Sequence, residues 1–136
     1  MEIDEKDMIL LKMLKENSRL SLKKMARELR VSETAVKKRI EKLKSRGVIK
    51  KFTVDINERA IGFSRAFVFL YASDAEKAAD FIRKLPFVSS VCFSSGRYNL
   101  VVEMEGPETL VCSIFERIKK LGCVKKAYYL TVVRWF

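Results

Sequence analysis

The 136-residue sequence contains no histidine. That removes Ser-His and Cys-His nucleophilic pairs and every histidine-based metal site. Cysteine is scarce too. Cys92, Cys112 and Cys123 are odd in number and form no C-x-x-C pair, so neither a disulfide framework nor a zinc finger is expected. They read as ordinary thiols of a reducing compartment. The five glycines, at positions 47, 62, 96, 106 and 122, all fall at predicted turns or hinges, and none builds a phosphate-cradling loop. No apolar run approaches the roughly 18 residues of a membrane span. The acidic start, MEIDEKDM, lacks the apolar stretch of a signal peptide. The expectation is a soluble cytoplasmic protein with no membrane partner, cofactor, metal or enzymatic activity.

Acidic residues are few beside the basic ones. There are 28 Lys and Arg against 17 Asp and Glu, a net charge of +11, yet 49% of the residues are hydrophobic. That is too apolar for a disordered polycation, so the chain reads as a folded basic protein with an anionic partner. The excess is uneven. Residues 1–54 hold 16 basic and 8 acidic side chains, a net of +8, and residues 55–136 hold the remaining +3.

The first third reads as three short helices. Asp4 can cap a helix running to about Glu16, with Asp7 favourable in its first turn. Its apolar residues Met8, Ile9, Leu10, Leu11, Met13 and Leu14 cover most of its girth. Ser21 can cap a second helix, about Leu22 to Leu29, with Met25, Ala26 and Leu29 as an inner stripe. After the turn Arg30-Val31-Ser32, Ser32 can cap a third helix from Glu33 to about Arg46. Val36, Ile40 and Leu43 form its narrow apolar seam. At 100° per residue, Thr34, Lys38, Glu41 and Ser45 lie opposite that seam, Ala35 and Lys42 at one margin, and Lys37, Arg39, Lys44 and Arg46 on its flanks. Gly47 ends the helix, and Val48 to Val54 reads as a strand, a wing-like addition.

This is a helix-turn-helix with a basic outer face. An α-helix fits the major groove of double-stranded DNA, where outward side chains reach base edges. Thr34, Ala35 and Lys38 are the candidates for base contact. Lys37, Arg39 and Lys42 are the candidates for phosphates, with Lys50 and Lys51 adding contacts from the strand. Ser32, at the helix N-terminus, marks a further phosphate position.

Residues 55–63 read as a linker, and residues 64–136 repeat a strand–helix–strand pattern. Strands are predicted over Ala66–Ala72, Val88–Ser94, Tyr98–Glu105 and Val124–Trp135, and helices over residues 74–85 and 108–121. Ser73-x-x-Glu76 reads as a capping box for the first of these helices. Leu110, Ile114, Ile118 and Leu121 read as the inner face of the second. The order β-α-β-β-α-β is ferredoxin-like, so the fold class is α+β: a winged-helix-like helix-turn-helix domain (1–54), a linker (55–63) and a ferredoxin-like domain (64–136). Both faces of its edge patterns are apolar: Phe67, Phe69 and Tyr71 oppose Ala66, Val68 and Leu70, and Tyr129, Val133 and Trp135 oppose Tyr128, Leu130 and Val132. A face left bare by the helices should be polar unless something covers it. A second copy of the chain is the expected cover, giving a homodimer through the sheets. The alternative is an RNA-binding module that stacks bases on the aromatic face. Glu103 and Glu105, alternating on one strand, read as ordinary solvated acids.

The run Ser32-x-x-x-Val36-x-x-Arg39-Ile40-x-x-Leu43-x-x-x-Gly47-Val48-Ile49, with Ile3-Asp4-x-x-Asp7-x-Ile9-Leu10 before it, resembles the Lrp/AsnC (feast/famine) transcription regulators. The resemblance implies dimers formed by the C-terminal sheets, often assembling into tetramers or octamers. It also implies control by a small effector, commonly an amino acid. In that family the effector turn carries a Gly-x-x-Asp pattern, which maps onto Gly96, Arg97, Tyr98 and Asn99. Two positions depart from the family. Arg30 stands where a turn glycine is usual. Asn99 stands for the aspartate and lacks the charge to hold an ammonium group, while Arg97 adds a cation suited to a carboxylate.

Overall fold

A computed structural model describes residues 3–133. The chain divides into two compact units, with the boundary between Asp55 and Ile56.

The first unit contains α1 (Glu5–Glu16), α2 (Leu22–Leu29) and α3 (Glu33–Ser45). Each begins at a side-chain cap. Asp4 accepts the Asp7 N–H at 2.8 Å, Ser21 the Lys24 N–H at 3.2 Å, and Ser32 the Ala35 N–H at 3.1 Å. Such a cap contributes about 1 kcal/mol by satisfying a helix N–H that has no intrahelical partner. Leu10, Leu14, Met25, Ala26, Leu29, Val36 and Leu43 close one core, with Ile40, Val48 and Ile49 packed at its edge. Met8 and Ile9 on α1 stay exposed.

Arg30 is left-handed, with φ 53° and ψ 50°. The Val31 N–H reaches the Ala26 carbonyl at 3.0 Å and the Arg30 N–H the Arg27 carbonyl at 3.2 Å. This is a Schellman closure, with Val31 packed against the core. Arginine takes a glycine's conformation here, at about 1 kcal/mol. Gly47, with φ 71°, repeats the closure after α3, where the Val48 N–H reaches the Leu43 carbonyl at 2.9 Å. The expected strand over 48–54 is absent, so the domain carries no wing of its own. A strand exists only in a ladder, and among the described residues of this unit no other extended segment pairs with it.

The second unit opens with a 3-10 turn, Glu58–Ile61, inside the segment read as a linker. It continues as β1 (Ser64–Ala72), α4 (Ala75–Ile82), β2 (Val88–Phe93), β3 (Leu100–Gly106), α5 (Glu108–Lys119) and β4 (Val124–Thr131). The antiparallel sheet runs β2-β3-β1-β4. Two side-chain roles differ from the sequence reading, and β3 starts at Leu100 instead of Tyr98. Asp74, not Ser73, caps α4, accepting the Lys77 N–H at 3.0 Å. On α5 the buried residues are Val111, Ile114 and Ile118, while Leu110 faces out. Trp135 lies outside the described residues.

Ala66, Val68, Leu70 and Ala72 of β1 and Leu100, Val102 and Met104 of β3 point toward the helices, where Ala78, Ile82, Val111, Ile114 and Ile118 complete the core. The opposite face carries Phe67, Phe69, Val101, Tyr128 and Leu130, set in adjoining registers by the strand pairing. Tyr128 is 66% exposed and Leu130 53%. At one end of that face Arg65 pairs with the buried Glu58 and lies 3.7 Å from Glu103 and 3.6 Å from Glu105. The two strand glutamates are therefore members of an ion cluster, not freely solvated acids. Sequence alternation does not reveal this, because Glu58 arrives from the preceding turn.

Candidate nucleic-acid interface

Helix α3 has one buried side and one open side. Val36 and Leu43 are buried, and Ile40 is half-buried beside them. Thr34, Lys37, Lys38, Glu41, Lys42 and Ser45 are exposed, and Ala35 is half-buried at the margin. An open row from Thr34 through Lys38 and Glu41 to Ser45 offers hydroxyl and ammonium groups and one carboxylate, which lies 3.5 Å from Lys44 Nζ. Lys37 and Lys42 stand on either side of it. The Ser32 hydroxyl caps α3 and is exposed at its N-terminal end. Lys50 and Lys51 are exposed on the extended segment after the helix, not on a strand.

Arg39, expected at a phosphate, is engaged within the protein. Its Nη1 donates to Asp4 Oδ2 at 2.7 Å and to Asp7 Oδ1 at 2.6 Å. The Asp7 side chain is only 3% exposed. The remaining carboxylate oxygens close the cap of α1: Asp4 Oδ1 takes the Asp7 N–H, and Asp7 Oδ2 takes the Asp4 N–H at 3.3 Å. The hydrogen bond from Arg39, then that from the Asp7 backbone, holds the Asp4 carboxyl below its usual range. The same contacts, Asp4 first and Asp7 second, raise the Arg39 guanidinium further above its already high value. Sequence reading places Asp4 and Asp7 at the helix end alone. A buried aspartate on a strongly apolar helix is the signal that a cation has to meet it.

The turn at Gly96, Arg97, Tyr98 and Asn99 is divided. Gly96 has φ 108° and is exposed, as is Arg97. Tyr98 lies on the sheet, its ring 6.0 Å from Phe69 and 6.2 Å from Tyr128. The Asn99 amide is engaged at both ends by the backbone of Ala72. Among the described residues no three His, Cys, Asp or Glu side chains are grouped to hold a metal ion. Among those residues, too, no helix is long and apolar enough to cross a membrane.

The AsnC-type helix-turn-helix domain matches residues 3–44, the three helices just described. The similarity continues through the second unit. The uncharacterised HTH-type transcriptional regulator PH0061 of Pyrococcus horikoshii is 35% identical over 127 residues, covering 87% of this chain and 86% of that protein. The chain belongs to the Lrp/AsnC family of transcription regulators. The HTH-type transcriptional regulator LysM of Saccharolobus solfataricus is 36% identical over 127 residues, covering 90% of this chain and 86% of LysM. The crystal structure of PH0061 superposes with a TM-score of 0.88 at 28% identity, covering 100% of this chain and 96% of that one. The protein is thus a DNA-binding transcription regulator of α+β fold, not an enzyme. Within this Lrp/AsnC regulator the exposed side of α3 carries Lys37, Lys38 and Lys42.

Proposed function

We propose that this regulator reads its operator with α3 in the major groove. Thr34, Ala35 and Lys38 meet base edges, and Lys37 and Lys42 meet phosphates. Lys50, Lys51 and the Ser32 end of the helix add backbone contacts. The observation that carries this reading is the open Thr34–Lys38–Ser45 row on a helix anchored by Val36 and Leu43. Arg39 is left out of the phosphate set because its Nη1 is already held by two carboxylates.

The unit of binding is a homodimer joined through the outer sheet face. The support is the exposed apolar surface of Tyr128 and Leu130, continuous with Phe67, Phe69 and Tyr98. Such a surface costs free energy when left in water. Further assembly into tetramers or octamers starts from this dimer. Two-fold symmetry gives a palindromic site with half-sites about 34–36 Å apart. A small effector entering at the Gly96–Asn99 turn meets Arg97 as its charged group, which favours a carboxylate over an ammonium. The site of action is the cytoplasm, where the DNA is.

Unbiased selection of bound fragments from a genomic library, repeated with a panel of amino acids, tests operator and effector together. A palindromic consensus supports the reading. If each subunit neutralises about four phosphates, the slope of log K against log salt is about −7. A slope flatter than about −2 on the selected site overturns it.

A further inference from the structure

The apolar contacts of α3 are confined to a narrow strip of its surface. Val36, Ile40 and Leu43 form a seam only about 60° wide at 100° per residue. Apolar burial is non-directional, so a helix seated on so narrow a seam can roll with little loss of buried area. Rolling matters for reading. With side-chain tips about 5–6 Å from the axis, a 20° roll moves Thr34 or Lys38 by ~2 Å. Side chains that recognise a ligand need placement to within about 0.5 Å.

We propose that Arg39 is the positioning residue that sets the roll of α3, and hence which side chains face the bases. This rests on the assignment of α3 to the groove. Arg39 lies about 60° from Val36 around the helix, between the seam and the Ala35–Lys42 margin. From there its Nη1 crosses to the N-terminus of α1 and donates one bond to each of two carboxylates, at 2.7 and 2.6 Å. Those carboxylates are not mobile anchors. Each uses its other oxygen to hold the backbone N–H of the other's residue, so Asp4, Asp7 and Arg39 form one closed set of four hydrogen bonds. Directional bonds at the edge of a narrow apolar seam add a restraint on its rotation that burial alone does not specify. The same geometry makes α1 part of the reading apparatus, although Asp7 is buried and has no access to DNA.

The test compares affinities of the full-length protein for a selected operator and a scrambled duplex over a salt series, with urea unfolding as the check on folding. Arg39→Ala is expected to lower the operator-to-scrambled ratio about tenfold with an unchanged salt slope. Asp7→Asn is expected to lower the ratio as well. Its effect has a distinctive sign, because removing a negative charge would by simple electrostatics tighten binding to both duplexes. Arg39→Lys, which keeps a cation that donates hydrogen bonds, is expected to restore part of the ratio. Where Arg39→Ala does not fold, Arg39→Lys and Asp4→Asn carry the comparison, since each leaves part of the lock in place. The proposal is overturned if Arg39→Ala weakens both duplexes equally and flattens the slope by about 0.9 for each phosphate left unneutralised, the mark of a phosphate ligand. It is equally overturned if Asp7→Asn leaves the ratio unchanged or raises it. Lys38→Ala separates the two levels. If it lowers the ratio while Arg39→Ala does not, the positioning role fails alone; if neither does, the placement of α3 fails with it.

Discussion

Asn99 and Ala72 exchange a pair of hydrogen bonds: Asn99 Oδ1 accepts the Ala72 N–H at 2.9 Å, and Nδ2 donates to the Ala72 carbonyl at 2.8 Å. The side-chain amide stands in for a peptide group. β3 begins only at Leu100, so the last residue of β1 would otherwise lack a ladder partner on that side. Backbone groups at a strand end need such a partner when they leave water.

Asn99→Asp removes the donor and sets a carboxylate oxygen against the Ala72 carbonyl. It is expected to lower stability by about 2 kcal/mol at neutral pH. Urea unfolding of the variant beside the parent measures this. An unchanged midpoint would mean that the amide does not hold the end of β1.

Gly106 is fixed by close approach. A Cβ there would stand 2.5 Å from Cδ1 and 2.9 Å from Cγ of the Phe87 ring. Phe87 is itself left-handed, with φ 63°, and its carbonyl accepts the Glu105 N–H at 2.8 Å, so the ring cannot easily retreat. Gly106→Ala is expected to cost about 1–3 kcal/mol. Gly122→Ala, where nothing lies within 4 Å, is the matched control. Equal thermal midpoints for the two variants would contradict the packing argument.

Lys38 and Lys37 are both exposed on α3 and differ in direction. Lys38→Ala should cost about 1–3 kcal/mol on the operator and relax sequence preference. Lys37→Ala should weaken binding to every duplex alike and reduce the salt slope. Titrations on specific and scrambled duplexes distinguish them, and the reverse pattern would exchange the two roles.

The Asp4 carboxyl is held below its usual range, chiefly by the Arg39 hydrogen bond. A depressed carboxylate contributes stability above its unfolded value and loses it as pH falls through the lower, folded value. Carboxyl NMR should therefore show Asp4 titrating at lower pH than an ordinary aspartate. In Arg39→Ala the titration should move up toward the ordinary range. No movement would mean that the contact is not formed in solution.

The outer sheet face gives a test of assembly. Tyr128→Asp places a charge within the exposed apolar surface, on the sheet face turned away from the buried core. Sedimentation should show the parent as a dimer or larger species and the variant as a smaller one, with little loss of monomer stability. A monomeric parent would instead favour the aromatic face as a platform for stacked bases.

The local features were written in the sequence. Asp4, Ser21 and Ser32 marked helix starts because their short oxygens reach N–H groups two or three residues ahead. Gly47 marked a helix end because left-handed backbone suits glycine. The period-2 pattern of β1 and the period-3.6 stripe of α2 gave the type of each element, since each period follows from one residue's geometry. The open side of α3, with Thr34 and Lys38, followed from the same arithmetic. The strand expected over 48–54 does not form for a related reason: β-propensity describes one segment, whereas a strand needs two.

What the sequence by itself determined, then, is whatever depends on neighbours within about one turn or one strand: element type, caps, and which side of α3 is apolar. Only the tertiary structure decided the roles of charged and polar groups whose partners are distant in the chain. Arg39 meets Asp4 and Asp7 across 35 and 32 positions, and Asn99 meets Ala72 across 27. A basic residue on a DNA-facing helix and an amide in an effector-like turn each admit two uses, and composition or periodicity treats both alike. The choice is made by where a second segment places its carboxylate or its unpaired peptide group, because hydrogen bonds are short and directional and act only after the chain has closed on itself.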